Sequence, residues 1–170
     1  DLITAIGACD GVAAWIVGEG DRRGSLQSQI DRLGLGMRIR LLGTRNDIAD
    51  LLSACDVFVF PSTSGEGSPA ALKEAMALGL PIVASDIPAH RDLGLLEESL
   101  YPPGDPAGLR QSLVGVLGDL NQARALAQSR TRDITRFLPE RLIARTEAVY
   151  HAVLDGGSVG QALSLESPPA

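Results

Sequence analysis

The segment 65–77 carries residues that could bind an anion. Ser68 is a favourable helix N-cap and Pro69 fits the first helical position, so we expect a helix that begins at residue 68 or 69. The backbone amides of 70–72 would then have no acceptor within the helix and would carry the positive end of its dipole. Two glycines and small side chains let a ligand approach this backbone closely. The candidate phosphate site therefore consists of Gly67, Ser68, Pro69, Ala70, Ala71 and Leu72.

Two glutamates flank the start of this helix. Glu66 precedes it, and Glu74 follows with seven residues between them. Because carboxylates accept hydrogen bonds from hydroxyl groups, such a pair beside a phosphate site suits a ligand with phosphate and hydroxyl groups, such as a sugar nucleotide. We expect Glu74 near the buried side of the helix, next to the apolar positions Leu72, Ala75 and Met76. The alternatives are a helix cap without a ligand and two ordinary surface glutamates.

Short apolar strands alternate with helices along the chain. We predict strands at 12–18, 37–42, 56–61, 81–85 and 99–102. We predict helices at 1–9, 23–34, 46–54, 68–79, 105–118, 120–136 and 139–154. Apolar strands separated by helices indicate a doubly wound parallel sheet, that is, a Rossmann-like α/β fold. A domain at 1–154 would be followed by a disordered tail at 155–170, which is rich in Gly, Ser and Pro.

Composition excludes several classes of function. The chain has 170 residues, of which 45% are hydrophobic, and this suits a single domain with a full core. A net charge of −6 argues against nucleic acid and against anionic membrane surfaces as partners. No apolar stretch has the roughly 18 residues that a membrane span needs. Cys9 and Cys55 lack metal-ligand spacing, so we expect buried free thiols and a cytoplasmic location.

The frame around Glu66 and Glu74 resembles the E-x7-E signature of retaining glycosyltransferases with the GT-B fold. The likeness is to family 4, also called glycosyl transferases group 1. Further segments that carry the resemblance lie at 15–20, 39–43, 54–62 and 101–106. The resemblance implies the donor-binding half of an enzyme that transfers a sugar from a nucleoside diphosphate sugar to an acceptor.

The resemblance also implies roles for individual residues. Glu74 would accept the ribose hydroxyls, the amides of 67–72 would contact the diphosphate, and Glu66 would lie beside the transferred sugar as the catalytic candidate. The residues that would line the nucleotide side of the cleft are Gly18, Glu19 and Gly20, and those near the base are Thr44 and Arg45. Because the chain has no D-x-D motif, we expect neither a metal nor another cofactor.

In the family, a strand and a basic loop precede the first helix, and a separate N-terminal domain binds the acceptor. The chain opens at Asp1 inside a predicted helix, so we expect it to be part of a longer enzyme and to be inactive alone. The missing strand is the central one in the Rossmann order. We therefore expect a sheet that either lacks this strand or closes across the gap.

Two alternatives remain open. The chain could be a non-catalytic module that binds nucleotide sugars. It could also be an NAD(P)-binding domain of an oxidoreductase, because 18–24 imitates a dinucleotide fingerprint, although Asp21 to Arg23 place bulky charges at the helix start. His90 and Arg91 follow the 81–85 strand and border the same crevice, and for such a lone histidine a structural role is the more common one.

Overall fold

The computed structural model describes residues 1–156. Apart from its first two residues, the predicted tail at 155–170 lies outside the described residues. The chain divides into two compact units, residues 1–131 and residues from 132 onward. The candidate site lies entirely in the first unit.

Strands and helices alternate through the first unit, as the sequence predicts. The strands are β1 (Ala14–Val17), β2 (Ile39–Gly43), β3 (Phe58–Phe60), β4 (Ile82–Ser85) and β5 (Leu100–Tyr101). The helices are α1 (Leu2–Gly7), α2 (Arg23–Arg32), α3 (Ile48–Ser53), α4 (Ala70–Ala77), α5 (Pro88–Asp92), α6 (Pro106–Gly118) and α7 (Leu120–Ser129). Short 3-10 helices occupy Glu97–Ser99 and Thr131–Phe137.

Two helical segments differ from the prediction. α5 was not predicted, because its five residues are too few to show a helical period, although Pro88 occupies a favourable first-turn position. The helix predicted at 120–136 ends at Ser129, and a 3-10 helix replaces its last turns.

The strands form two separate parallel sheets. β1 pairs with β2, with Ala14 opposite Ile39, and the second sheet has the order β3-β4-β5. Within residues 1–156 no ladder joins β1 to β3. The separation into two sheets matches the predicted sheet without its central strand, and in the described part of the chain no strand pairing closes the sheet.

One face of both sheets packs against α1 and α6. α1 and α6 supply buried residues to the cluster beneath β1 and β2, whose members are Ile3, Ile6, Cys9, Ile30, Leu35, Ile39 and Leu113. They also supply the cluster beneath the second sheet, formed by Ala5, Val83, Tyr101 and Leu109. Leu2, Val57 and Val59 pack against both clusters, so the two sheets share one continuous core.

Both cysteines are free, as expected. Cys9 is buried in the core, whereas Cys55 is only partly buried because it follows the end of α3. Partial burial raises the pKa of the Cys55 thiol, with a smaller contribution from the negative charge of Asp56.

The second unit contains the end of the Thr131–Phe137 3-10 helix and α8 (Pro139–Leu154). α8 matches its predicted bounds and begins with a proline, which fits the first helical turn. Among the described residues, no helix is long and apolar enough to cross a membrane.

Candidate functional site

The predicted anion-binding helix begins later than expected. α4 starts at Ala70, and Pro69 is its N-cap in an extended conformation with φ −63° and ψ 119°. The prediction that Ser68 caps the helix is wrong, because Pro69 occupies that position and the Ser68 hydroxyl instead accepts a hydrogen bond from Lys73 Nζ at 3.2 Å.

The start of α4 nevertheless presents free backbone donors. The first helical hydrogen bond runs from the Lys73 amide to the Pro69 carbonyl at 3.4 Å, so the amides of 70–72 precede it. Gly67, Ser68 and Ala70 are exposed, whereas Leu72 is completely buried and anchors the helix in the core. Unpaired amides at a helix start and an exposed approach to them are the properties of an anion site.

Glu66 lies in the loop between β3 and α4 and is partly buried. The hydroxyl of Ser62 donates to its Oε1 at 2.7 Å. This bond holds one carboxylate oxygen and leaves the other available to accept from a ligand hydroxyl.

Glu74 is exposed, which contradicts the predicted position near the buried side of α4. Leu72 and Ala75 are both 0% exposed and define the buried face. At about 100° per residue, Glu74 lies about 200° from Leu72 and about 100° from Ala75, and therefore points away from the core. Its carboxylate is open to a ligand and needs no buried donor.

The loops after β1 and β2 contact each other. Gly18 and Gly43 form an isolated bridge, in which the Gly18 amide donates to the Gly43 carbonyl at 2.8 Å. Gly43 has φ +70°, and a Cβ at this position would lie 2.7 Å from Oε1 of Glu19. The positive φ favours glycine where the loop of Gly18, Glu19 and Gly20 meets the end of β2, directly before Thr44, whereas the exposed Glu19 side chain can move away from an added Cβ.

A cleft of about 300 Å³ opens beside β1 and the start of α2. Its lining includes Gly18, Glu19 and Gly20, three of the residues predicted to face a nucleotide. Glu19 and Arg23 form an ion pair across its rim at 2.9 Å, with both side chains about half exposed. The cleft thus combines an apolar floor of Ile16, Leu26 and Leu41 with a charged rim.

The Arg45 side chain forms an ion pair with Asp47, two residues further along the chain. Its Nε donates to Oδ1 of Asp47 at 2.8 Å, and this hydrogen bond lowers the pKa of the Asp47 carboxyl and raises that of Arg45. Asp47 takes the N-cap position of α3, but its carboxylate faces Arg45 rather than the helix amides. A hydrogen bond between two neighbouring side chains therefore stabilises the turn at Thr44 and Arg45.

A buried histidine lies behind the Glu66 loop. His90 is 0% exposed, and its Nδ1 is 2.6 Å from the carbonyl oxygen of Ser85. The Ser85 hydroxyl donates to the carbonyl of Ser62, which in turn precedes Glu66 by four residues. The sequence alone did not single out Ser62 or Ser85. The signal available was their position, two residues after β3 and at the end of β4.

The predicted site residues form two groups. Gly18 to Gly20 and Thr44 to Arg45 lie at the carboxyl ends of β1 and β2, and the residues from Glu66 to Glu74 follow β3. Open α/β sheets bind ligands outside the carboxyl ends of their strands, and both groups lie there. Arg91, after β4, pairs with Asp86, which lowers the pKa of that carboxyl.

A family model and curated relatives both identify the chain as similar to glycosyltransferases. The family model described as glycosyl transferases group 1 matches residues 2–119. The phosphatidyl-myo-inositol mannosyltransferase of Mycobacterium leprae is 35% identical over an alignment that covers 96% of this chain and 44% of that protein.

Solved structures agree with the fold. HepE of Anabaena has been solved in complexes with UDP and with UDP-glucose. Its UDP complex superposes on this chain with a TM-score of 0.68 at 30% identity, and the alignment covers 84% of this chain and 44% of HepE. A glycosyltransferase from Rickettsia africae has a TM-score of 0.81 at 17% identity, covering 90% of this chain and 43% of that one, and shows the shared fold alone. The chain spans less than half the length of these relatives.

Proposed function

The chain belongs to the glycosyl transferases group 1 family, and from this premise we propose that it is the donor-binding half of a retaining glycosyltransferase. The enzyme would transfer a sugar from a nucleoside diphosphate sugar to an acceptor bound by another domain. The observation that carries the proposal is the open first turn of α4, with Glu66 in the loop that precedes it and Glu74 exposed in the second turn.

The diphosphate would bind at the start of α4. The amides of 70–72 point from a helix whose first turn is anchored by the buried Leu72, so they keep their orientation during the reaction. As the bond to the sugar breaks, negative charge grows on the departing diphosphate, and fixed amide donors stabilise that charge more in the transition state than in the bound donor. Glu66, with its free Oε2, would face the sugar and the positive charge that develops on it.

The nucleoside would extend toward the first sheet. Glu74 would accept the ribose hydroxyls, which its exposure on α4 permits. Gly18, Glu19 and Gly20 would line the cleft beside the nucleotide, and the backbone at Thr44 and Arg45 would contact the base. Two glutamates in these roles constitute the E-x7-E signature, here Glu66 and Glu74.

The proposal also concerns metal ions, macromolecular partners and cellular location. The helix start and basic side chains would neutralise the diphosphate without a metal ion. We propose a cytoplasmic enzyme that binds neither nucleic acid nor the membrane interior through this domain. Family membership and the charged residues Asp21 and Arg22 at the start of α2 argue against the NAD(P)-binding alternative.

Binding measurements on the complete enzyme test the proposal. We expect calorimetry to show binding of UDP or GDP, and Glu74→Ala to weaken it by about 10- to 100-fold, because a charge-assisted hydrogen bond contributes about 1.5–3 kcal/mol. Glu98→Ala, which removes an exposed acid after α5, is the matched control and should leave binding unchanged. Tighter binding of NADPH than of either nucleotide would overturn the proposal.

A transfer assay separates the enzyme from a non-catalytic binding module. With Glu66→Ala, we expect nucleotide affinity to persist while sugar transfer falls. Nucleotide binding by the complete protein with no transfer of any donor sugar would favour the binding module instead.

A further inference from the structure

His90 is the most deeply buried ionisable side chain near the candidate site. Its side chain is 0% exposed, and it follows β4 in the short helix α5. The ring packs edge-on against Phe60 at the end of β3, with ring centroids 5.3 Å apart and an interplanar angle of 62°. Packing and hydrogen bonding thus fix the imidazole relative to the ends of both strands.

The hydrogen bonds of His90 determine its tautomer. Nδ1 lies 2.6 Å from the Ser85 carbonyl oxygen, which can only accept, so Nδ1 carries the proton and donates. Nε2 is buried and has no hydrogen-bond partner among the described residues. Since an unpaired buried nitrogen is unfavourable for stability, a core made for stability alone would favour an apolar side chain here.

The bonds continue from Ser85 to Glu66. The Ser85 hydroxyl donates its single proton to the carbonyl of Ser62, 23 positions earlier in the chain. The Ser62 hydroxyl then donates to Oε1 of Glu66 at 2.7 Å. The first two bonds end on the backbone carbonyls of Ser85 and Ser62, and the side-chain hydroxyls of the same two serines make the next bonds. The connection from the buried imidazole to the carboxylate therefore passes through both serine residues.

We propose that His90, Ser85 and Ser62 form a positioning chain that holds the Glu66 carboxylate in one orientation for sugar transfer. The inference rests on the proposed role of Glu66. Residues 61–69 form neither helix nor strand, so Glu66 has no backbone ladder to orient it, and the Ser62 hydroxyl supplies a fixed contact. A carboxylate held in this way is oriented before the donor binds, which favours the reactive geometry.

Steady-state kinetics of the complete enzyme test the end of the chain nearest the site. Ser62→Ala should lower kcat by about 10- to 100-fold, the scale of a small misplacement of a reacting group, with the donor KM changed less than about threefold. Ser62→Thr keeps the hydroxyl and should restore most of the activity. Ser64→Ala, an exposed serine in the same loop, is the matched control and should match the unmodified enzyme.

The buried end of the chain requires a different comparison. His90→Leu removes the Nδ1 donor, whereas His90→Asn retains an amide donor at a similar position, so Asn should recover activity that Leu loses. Ile30→Ala truncates an equally buried residue on α2 and reports the kinetic effect of lost stability alone. If His90→Leu does not fold, the Ser62 and His90→Asn variants decide the question.

The outcomes separate this inference from the proposed function. Support requires a fall in kcat for Ser62→Ala, rescue by Thr, and no further fall when Ser62→Ala is added to Glu66→Ala. A normal kcat for Ser62→Ala beside an impaired Glu66→Ala overturns the positioning chain and leaves the proposed function intact. An unimpaired Glu66→Ala overturns the role of Glu66 and the positioning chain together.

Discussion

Tyr101 shows how a single buried hydroxyl can make stability depend on pH. The side chain is 2% exposed in the core beneath β4 and β5, and its hydroxyl has no hydrogen-bond partner among residues 1–156. Burial, with a smaller contribution from the charge of Asp105, raises the pKa of Tyr101 to about 12 from the ordinary value of 10.0. The folded state therefore disfavours the phenolate.

We predict that alkaline pH destabilises the protein through Tyr101. The pKa of Tyr101 is higher in the folded state than in the unfolded state. The contribution of the neutral hydroxyl to the free energy of unfolding is therefore complete below pH 10 and is lost as the pH rises from 10 to about 12. Two pKa units correspond to about 2–3 kcal/mol. Urea unfolding of the protein and of Tyr101→Phe should give similar free energies at pH 8, and the difference should grow in favour of Tyr101→Phe at pH 11.5. Parallel pH dependence of the two proteins would contradict the prediction.

At the scale of residues, the sequence predicted where the loops lie better than it predicted the burial and hydrogen bonds of their side chains. The Glu66 loop and the glycines after β1 could be predicted because their spacing is local. The exposure of Glu74 could not, since it depends on which face of α4 the core selects, and Leu72 and Ala75 decide that. The link between Ser85 and Ser62 joins residues 23 positions apart and exists only once β3 and β4 pair.

At the scale of elements, the end of α4 depends on one glycine. Gly79 follows the helix with φ +65°, a conformation that side chains with a Cβ rarely adopt. A Cβ there would lie 3.1 Å from Cγ2 of Thr131 and 3.2 Å from Cα of Gln128. The turn that directs the chain from α4 into β4 therefore packs closely against the end of α7.

We predict that Gly79→Ala and Gly115→Ala have opposite effects on stability. Gly79→Ala should lower the free energy of unfolding by about 1–3 kcal/mol, because the alanine is strained and crowded. Gly115 lies inside α6, where an added Cβ would meet nothing within 4 Å, so Gly115→Ala should raise stability by about 0.5–1 kcal/mol. Thermal or urea unfolding of both variants measures the pair, and a change of the same sign in both would contradict the prediction.

The sequence predicted the helices and strands themselves, from long periodic or apolar runs of residues, better than it predicted the residue at which a helix starts. Ser68 has the chemistry of an N-cap, yet the extended backbone of Pro69 moves the start of α4 by a residue. Asn46 and Asp47 are both suitable caps for α3, and the pairing of Asp47 with Arg45 could not be predicted from propensity. Helix starts are decided by which competing side-chain bond forms.

At the scale of the whole molecule, the gap between β1 and β3 determines which backbone groups lack partners. In a parallel strand, alternate residues direct their amides to opposite edges. Ala14 donates to the carbonyl of Arg38, directly before β2, and Phe58 donates to that of Pro81, directly before β4. The amides of Trp15 and Val17 in β1, and of Val59 in β3, therefore face the gap. Within residues 1–156 no ladder pairs that edge of either strand.

The doubly wound strand order places a central strand in this gap, and we predict that the complete enzyme fills it. Hydrogen exchange measures the difference directly, because an amide in a ladder is protected and an unpaired one is not. In residues 1–156 expressed alone, the amides of Ala14 and Phe58 should be protected, whereas those of Val17 and Val59 should exchange rapidly. In the complete enzyme all four should be protected, since a parallel strand that enters the gap pairs with both free edges and contacts the core shared by the two sheets. Rapid exchange at Val17 and Val59 in the complete enzyme would show that no strand enters the gap, and protection of both in the isolated chain would show that β1 and β3 pair directly in solution.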